Sequence, residues 1–266
     1  MSISIVIPTV DIGMLNATLP AMVTTATGSG EVIVMNGSQE HCGDVIANLS
    51  WLFRVRTDWR INVIKEKEHC GITGLMLEGY RRAQCSIVAF MHDDTMVHEY
   101  GWDDRIARAF EYGDVGLVGF GGCTRLELVD GTVHTAGEYF SNWDDAEFYG
   151  KRTLGSCDVA HVDGSALCVR GDRSKLTGMF GGEWENFTVY DSYLSLLARE
   201  AGYKVRVVGI KSAHLSWLRG NGHHRRDARL AYQSSILRRS KGYDLSISRK
   251  YLAQRFHNLF PVEVRL

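Results

Sequence analysis

Along the first hundred residues, apolar runs of strand length alternate with stretches whose apolar positions recur at helical spacing. Ser2 to Ile7 reads as a β-branched buried strand, and Met14 to Thr25 as a helix that has to accommodate Pro20. Glu31 to Met35 is a second apolar strand, closed by the turn signal Asn36-Gly37-Ser38. A helix from about Asp44 to Phe53, a strand near Arg60 to Ile64 and a helix from about Thr73 to Ala83 follow. Strand, helix and strand in that order predict a parallel α/β sheet, whose ligands collect at the carboxyl ends of the strands. The next strand, Ser86 to Met91, runs directly into His92-Asp93-Asp94, so the β/α units deliver two carboxylates to a sheet edge.

The second half is less regular. Tyr100 to Tyr112 has the pattern of an amphipathic helix and Val115 to Phe120 that of a strand. Asp130-Gly131, between Arg125 to Val129 and Thr132 to Ala136, is a hairpin signal. Ser141 to Ser156 is polar, aromatic and turn-rich, which predicts a loop over the site. Val159 to Val169 returns to strand character, Gly178 to Gly182 reads as a loop, and Tyr190 to Ala201 as a helix stopped at Gly202. Lys204 to Ile210 is the last strand that the pattern predicts. No repeat, low-complexity tract or linker interrupts the chain.

Composition changes this picture in two places. The 266 residues carry a formal net charge of -1, yet from Lys211 onward there are twelve Lys or Arg against three Asp or Glu. That end includes His223-His224-Arg225-Arg226 and Arg238-Arg239-Ser240-Lys241, with Trp217, Tyr232 and Tyr243 nearby. It reads either as a solvated helical face or as a surface for an anionic partner: donor phosphate, a lipid phosphate or nucleic acid. The six cysteines have no ligand-like spacing and read as reduced core fillers. No apolar run approaches the roughly 18 residues of a transmembrane segment, and Ile3 to Ile7 is too short for a signal peptide. The expectation is a soluble, cytoplasmic protein with room for peripheral membrane contact.

Two aspartates after an apolar strand suit Mg²⁺ or Mn²⁺, which favour carboxylate oxygens and take further ligands from a diphosphate. The same dipeptide serves equally as a helix or turn cap. The ordered series bears on that choice: SIVIPTV, then EVIVMNGS, then HCGITGLMLEGYRRAQCSIVAFMHDD resembles the family 2 glycosyltransferases of GT-A fold. Pro8-Thr9, Asn36-Gly37-Ser38, Gly71, Gly79 and His92-Asp93-Asp94 stand at that family's positions. Downstream, VDGSALCVRGD, FTVYDSYLSLLAREAGYKVRVV and SAHLSW are similar to its acceptor-side strand, its base-bearing helix and its metal-binding histidine segment. Three departures stand out: Met35 where an acidic residue is frequent, Leu77 where Asn is, and Tyr190 where Glu commonly precedes the base.

The resemblance implies a GT-A-like, Rossmann-related α/β fold. Its mostly parallel central sheet is flanked by helices, with a small acceptor-side β element and a basic helical C-terminal extension. The transferase domain would span 1–217, its donor half about 1–120 and its acceptor half 121–217, with 218–266 packed on it. Donor binding falls to Pro8, Thr9, Asn36, Gly37, Ser38, Gly71, Asp93 and Asp94, and Mn²⁺ or Mg²⁺ binding to Asp94 and His214. Asp191 takes the general-base position, although a carboxylate opening a helix is also favoured by the dipole alone. His214 is equally readable as a hydrogen-bonded loop histidine. Asp163, Gly164, Ser165 and Trp217 fall on the acceptor side.

The implied activity is inverting transfer from a nucleoside-diphosphate sugar, UDP-linked by family habit. The acceptor would be a hydroxyl of a glycan, a lipid-linked sugar or a modified nucleic-acid base such as a hydroxymethylated pyrimidine. A nucleotidyltransferase is disfavoured because no Gly-rich basic loop follows Pro8. A non-catalytic sugar or nucleic-acid binder is disfavoured because Asp94 and Asp191 occur together.

Overall fold

A computed structural model of the chain describes residues 2–38, 40–65, 71–143, 150–170, 189–215 and 245–265. The chain opens with β1 (Ile3–Thr9), α1 (Ile12–Thr25), β2 (Gly30–Asn36), α2 (Cys42–Val55), β3 (Trp59–Lys65), α3 (Gly71–Arg82) and β4 (Ile87–Met91). Strands β1 to β4 are mutually parallel in the order β4-β1-β2-β3. Alternate residues of each strand enter different layers. Ile3, Ile5, Ile7, Val32 and Val34 pack beneath α1 and α2, whereas Val6, Ile33, Met35, Val88 and Phe90 meet the α3 side. Strands sealed on both faces account for apolar runs that do not alternate.

Asp11 caps α1 by accepting from the Met14 N–H at 3.0 Å. The helix continues through Pro20 because its buried stripe, Leu15, Leu19, Met22 and Val23, compensates for the hydrogen bond that proline cannot make. Below the sheet, the Arg56 guanidinium donates to the carbonyls of Ala26 at 2.8 Å and Gly28 at 2.9 Å and pairs with Asp58, joining α1, β2 and β3.

The remaining elements are β5 (Thr95–Val97), α4 (Trp102–Ala109), β6 (Val115–Gly119), β7 (Gly121–Val129), β8 (Thr132–Ser141), β9 (Lys151–Arg152), β10 (Ser156–Val159), β11 (His161–Val162) and β12 (Ala166–Arg170). Then come α5 (Tyr190–Glu200), β13 (Lys204–Val208), β14 (Ser212–His214), α6 (Leu245–Arg255) and β15 (Val262–Glu263). Among the described residues the large sheet has eight strands in the order β10-β13-β6-β12-β4-β1-β2-β3. Strand β12 lies antiparallel between β4 and β6. A smaller sheet joins β11, β7, β8 and β9, with β15 on β7, and β14 pairs with β5.

Three expectations are corrected. The stretch Val159 to Val169 is not one strand: β10 lies in the large sheet, β11 crosses to the small one, and β12 returns after the turn at Asp163-Gly164-Ser165. The helix expected over Tyr100 to Tyr112 is confined to Trp102–Ala109, because Gly101 takes a left-handed φ of 77° just before it. The hairpin is longer than expected, although its turn is the predicted pair, Asp130 and Gly131, both at positive φ. The ends of the Ser141–Ser156 segment belong to β8, β9 and β10, while residues 144–149, Gly178 to Gly182, Trp217 and the basic clusters lie outside the described residues.

Leu252, Ala253 and Phe256 of the C-terminal segment are buried in the core layer with α5, where Phe256 meets Tyr193 edge-on. Arg255 makes two hydrogen bonds to Glu200 at 2.7 and 2.9 Å. No helix among the described residues is long and apolar enough to cross a membrane.

Gly79 sets how closely α3 approaches β1, since a Cβ there would lie 2.3 Å from Val6 Cγ1. Gly79→Ala should destabilise the fold by about 1–3 kcal/mol in denaturant unfolding. Adding Val6→Ala should recover part of that loss, and strictly additive losses would refute the contact.

Candidate metal and donor site

The carboxyl ends of β1, β2 and β4 are brought level by their register, with Pro8 opposite Met35, Thr9 opposite Asn36 and Val6 opposite Phe90. Thr9 Oγ1 donates to Asp93 Oδ2 at 2.7 Å and accepts from the Asp11 N–H at 3.1 Å. Thr18 Oγ1, on α1, donates to the Asp93 carbonyl at 2.7 Å. Asp93 is therefore fixed to the first β/α unit through both side chain and backbone. The Thr9 carbonyl accepts from the Gly37 N–H at 2.8 Å, tying the β2 turn to the same place.

Within that turn, Asn36 Oδ1 accepts from the Ser38 N–H at 2.9 Å and from Ser38 Oγ at 2.6 Å, and Nδ2 donates to the Glu40 carbonyl at 3.0 Å. The Lys65 ammonium donates to the Ser38 carbonyl and, at 3.3 Å, to that of Glu40. The buried Asn36 amide thus shapes the loop. Met35 is buried in the core layer against α3. Gly71 opens α3.

His92-Asp93-Asp94 forms a turn in which the Thr95 N–H returns to the His92 carbonyl at 3.2 Å. The chain then enters β5, whose pairing with β14 sets His214 opposite Thr95, while the Leu215 N–H donates to the Asp94 carbonyl at 2.8 Å. This short ribbon is what carries His214 to the acidic turn. Asp94 Oδ1 lies 3.2 Å from His214 Nε2 and 3.7 Å from His92 Nδ1. All three donor atoms fall within 4.8 Å of one another.

The Asp94 side chain is 3 % exposed, against 25 % for His214 and 30 % for His92, so the cluster is closed behind the carboxylate and open on the imidazole side. Trp143 flanks the His214 ring at 5.9 Å. One carboxylate and two imidazoles converging on a common point fit a divalent first-row ion, with room on the open side for ligand oxygens.

Across β12, the Ser165 carbonyl accepts from the His92 N–H and from Thr95 Oγ1, each at 3.0 Å. Asp163 Oδ1 accepts from the Ser165 N–H at 2.9 Å, which makes the turn. The buried Ser165 hydroxyl has no hydrogen-bond partner among the described residues. Tyr190, the first residue of α5, donates its phenol proton to the Gly164 carbonyl at 3.2 Å and also bonds His92 Nε2. A Cβ on Gly164 would stand 2.4 Å from the phenol oxygen, so glycine is needed there to admit Tyr190. Burial, reinforced by Asp191, Asp163 and Asp94, raises the phenol well above its ordinary pKa and keeps it protonated.

Asp191 follows, in the first turn of α5, with its side chain 23 % exposed. Asp191 Oδ2 is 3.5 Å from Nε2 of the buried His161 on β11, a residue without any sequence signal for this role. Burial works to lower the His161 pKa, but the Asp191 carboxylate outweighs it and lifts the imidazole to about 10. Burial likewise opposes charge on Asp191. The His161 charge, the Ser192 N–H and His92 overcome it and bring the carboxyl below its ordinary range. Both shifts favour the ionised form of the pair.

The sign of the pH dependence follows. His161, raised in the fold, contributes stability fully below its ordinary value of 6.5 and loses it as pH climbs toward about 10. Asp191, lowered in the fold, contributes above its ordinary value of 3.8 and loses that contribution as pH falls below it. Thermal unfolding midpoints should therefore drop between pH 6.5 and about 10 more steeply in the native chain than in His161→Gln. Parallel curves for the two proteins would contradict the ion pair.

No known protein family matches the sequence, and no characterised protein matches it either. Solved structures do match in fold. The mannosyltransferase PcManGT from Pyrobaculum calidifontis, in complex with GDP-Man and Mn2+, superposes with a TM-score of 0.53 at 14% identity, covering 97% of this chain and 70% of that one. TarS 1-349 of S. aureus, in complex with UDP-GlcNAc, gives 0.54 at 12% identity over 79% of this chain and 56% of its own length. TarS 1-349 with UDP gives 0.51 at 10% identity, and this chain spans 58% of it. At such identities the likeness is one of architecture: the chain has the GT-A-like α/β fold of these glycosyltransferases.

Proposed function

We propose that the chain is a metal-dependent, inverting glycosyltransferase that moves a sugar from a nucleoside diphosphate, UDP by family habit, to an acceptor hydroxyl. The observation that carries this reading is the buried Asp94 carboxylate facing His214 and His92 at the carboxyl edge of the sheet. Its support from outside is the fold shared with transferases solved with GDP-Man and Mn2+ and with UDP-GlcNAc.

In this reading Asp94 and His214 hold Mn²⁺ or Mg²⁺, which when bound offsets the charge gathering on the leaving diphosphate. Thr9 keeps Asp93 turned into the donor pocket, and the backbone of Pro8, Thr9, Gly37 and Ser38 lines it, with Gly71 beside it at the head of α3. Asp191 accepts the proton of the acceptor hydroxyl as that oxygen attacks the anomeric carbon on the face opposite the diphosphate, which inverts the configuration. His161 keeps the Asp191 carboxylate ionised for that step. Ser165, whose buried hydroxyl has bonding capacity to spare, belongs with Asp163, Gly164 and Trp217 on the acceptor side. In domain terms, 1–120 binds the donor and 121–217 the acceptor.

The acceptor hydroxyl belongs to a glycan, a lipid-linked sugar or a modified nucleic-acid base; the twelve basic against three acidic residues from Lys211 onward are what keep a hydroxymethylated pyrimidine in DNA among them.

The test is Mn²⁺-dependent hydrolysis of UDP-sugars together with thermal stabilisation by the same ligands. Asp94→Ala should abolish both. Asp191→Asn should retain the stabilisation while turnover falls on the order of 10²–10⁴-fold. An unaltered Asp94→Ala protein would remove the metal site. A native chain that neither binds nor turns over any nucleotide sugar would remove the enzymatic reading.

A further inference from the structure

Resting on that reading of the site, one residue outside the expected ligand pair has a geometry of its own. The His92 backbone is committed on both sides, its N–H to the Ser165 carbonyl at 3.0 Å and its carbonyl to the Thr95 N–H at 3.2 Å. Only its side-chain torsions are free, and Tyr190 removes that freedom. The phenol of Tyr190 contacts both the Gly164 carbonyl, at 3.2 Å, and His92 Nε2, which ties that ring nitrogen to α5 and turns the other one away from it. With Nε2 held by Tyr190, Nδ1 is the ring nitrogen on the Asp94 side, 3.7 Å from Oδ1. The His214 ring, with its centroid 5.7 Å from that of His92, closes the third side.

We propose that His92 is a third protein ligand of the cation, bound through Nδ1, and that Tyr190 is the positioning residue that fixes its ring. The resulting set of two imidazoles and one carboxylate favours Mn²⁺ over Mg²⁺, because imidazole nitrogen suits the transition ion whereas Mg²⁺ prefers an all-oxygen shell. A ligating histidine steadied through its other nitrogen is the usual construction of such sites.

The experiment titrates the intact chain with Mn²⁺ alone, reading the loss of the free-ion electron paramagnetic resonance signal, then repeats it with Mg²⁺ as competitor. The native chain should bind Mn²⁺ without donor and resist Mg²⁺. His92→Ala should weaken Mn²⁺ binding by at least about 10–100-fold, and Tyr190→Phe by about ten-fold. Tyr190→Phe should also lower the metal-free unfolding midpoint, because the Gly164 carbonyl loses its donor, so the double-variant comparison and not stability alone carries the assignment. In a His92→Ala background Tyr190→Phe should cost nothing more, which a general structural defect would not reproduce. His92→Asp should lower the preference for Mn²⁺ over Mg²⁺ by about ten-fold.

Unchanged Mn²⁺ affinity in His92→Ala, an equal Tyr190→Phe loss with and without His92, or binding by the native chain only when a UDP-sugar is added would each overturn the proposal. Asp94→Ala separates the two readings. If it abolishes metal binding while His92→Ala does not, the transferase site stands and the third ligand falls. If it leaves metal binding intact, the proposed function falls as well.

Discussion

A carboxylate withdrawn from water at the end of a buried strand is unfavourable unless opposite charge or hydrogen-bond donors meet it. Asp94 is in that position, with 3 % of its side chain exposed. Much of the surrounding architecture brings nitrogen to it: β14 pairs with β5 to supply His214, and β12 lies antiparallel beside β4 so that its preceding turn clasps the backbone of His92. Tyr190 then links that turn to α5, and α5 carries Asp191. Nearby acidic groups are handled in the same manner, Asp93 by the Thr9 hydroxyl and Asp191 by His161. The proposed cation completes a pattern of compensation already present in the protein groups.

Strands β1, β2 and β4 were legible because they are covered on both faces and the turns that follow them carry strong local signals. Continuous β-branched runs, Asn36-Gly37-Ser38 and the aspartates after Met91 each report their environment within a few residues. The elements that finish the site are short and paired across long stretches of chain. β5 and β14 have three residues each and β11 has two, lengths too small to show a period. Val159 to Val169 misleads for a related reason: the run is apolar throughout because it passes through two sheets in succession, and only the Asp163-Gly164-Ser165 turn marks the crossing.

Two of the site's side chains show where sequence reading stops. Tyr190 stood out as a departure from the family pattern, but its partner, His92, is distant in sequence and nothing local links them. His161 gave no signal, since a histidine within an apolar run is more readily taken as an ordinary core residue, and its charge depends on Asp191 from another element. Gly164 carries a different lesson. The resemblance placed it on the acceptor side without a reason for glycine, and the atom that a side chain there would meet is the phenol oxygen of Tyr190.

The β5–β14 ribbon also orders events during synthesis. His92 and Asp94 are made before β6, whereas His214 arrives only after β13. A chain ended before β14 therefore carries the acidic turn without the ribbon's histidine. On the proposed reading, the full set of protein ligands exists only in a chain that has been made through β14.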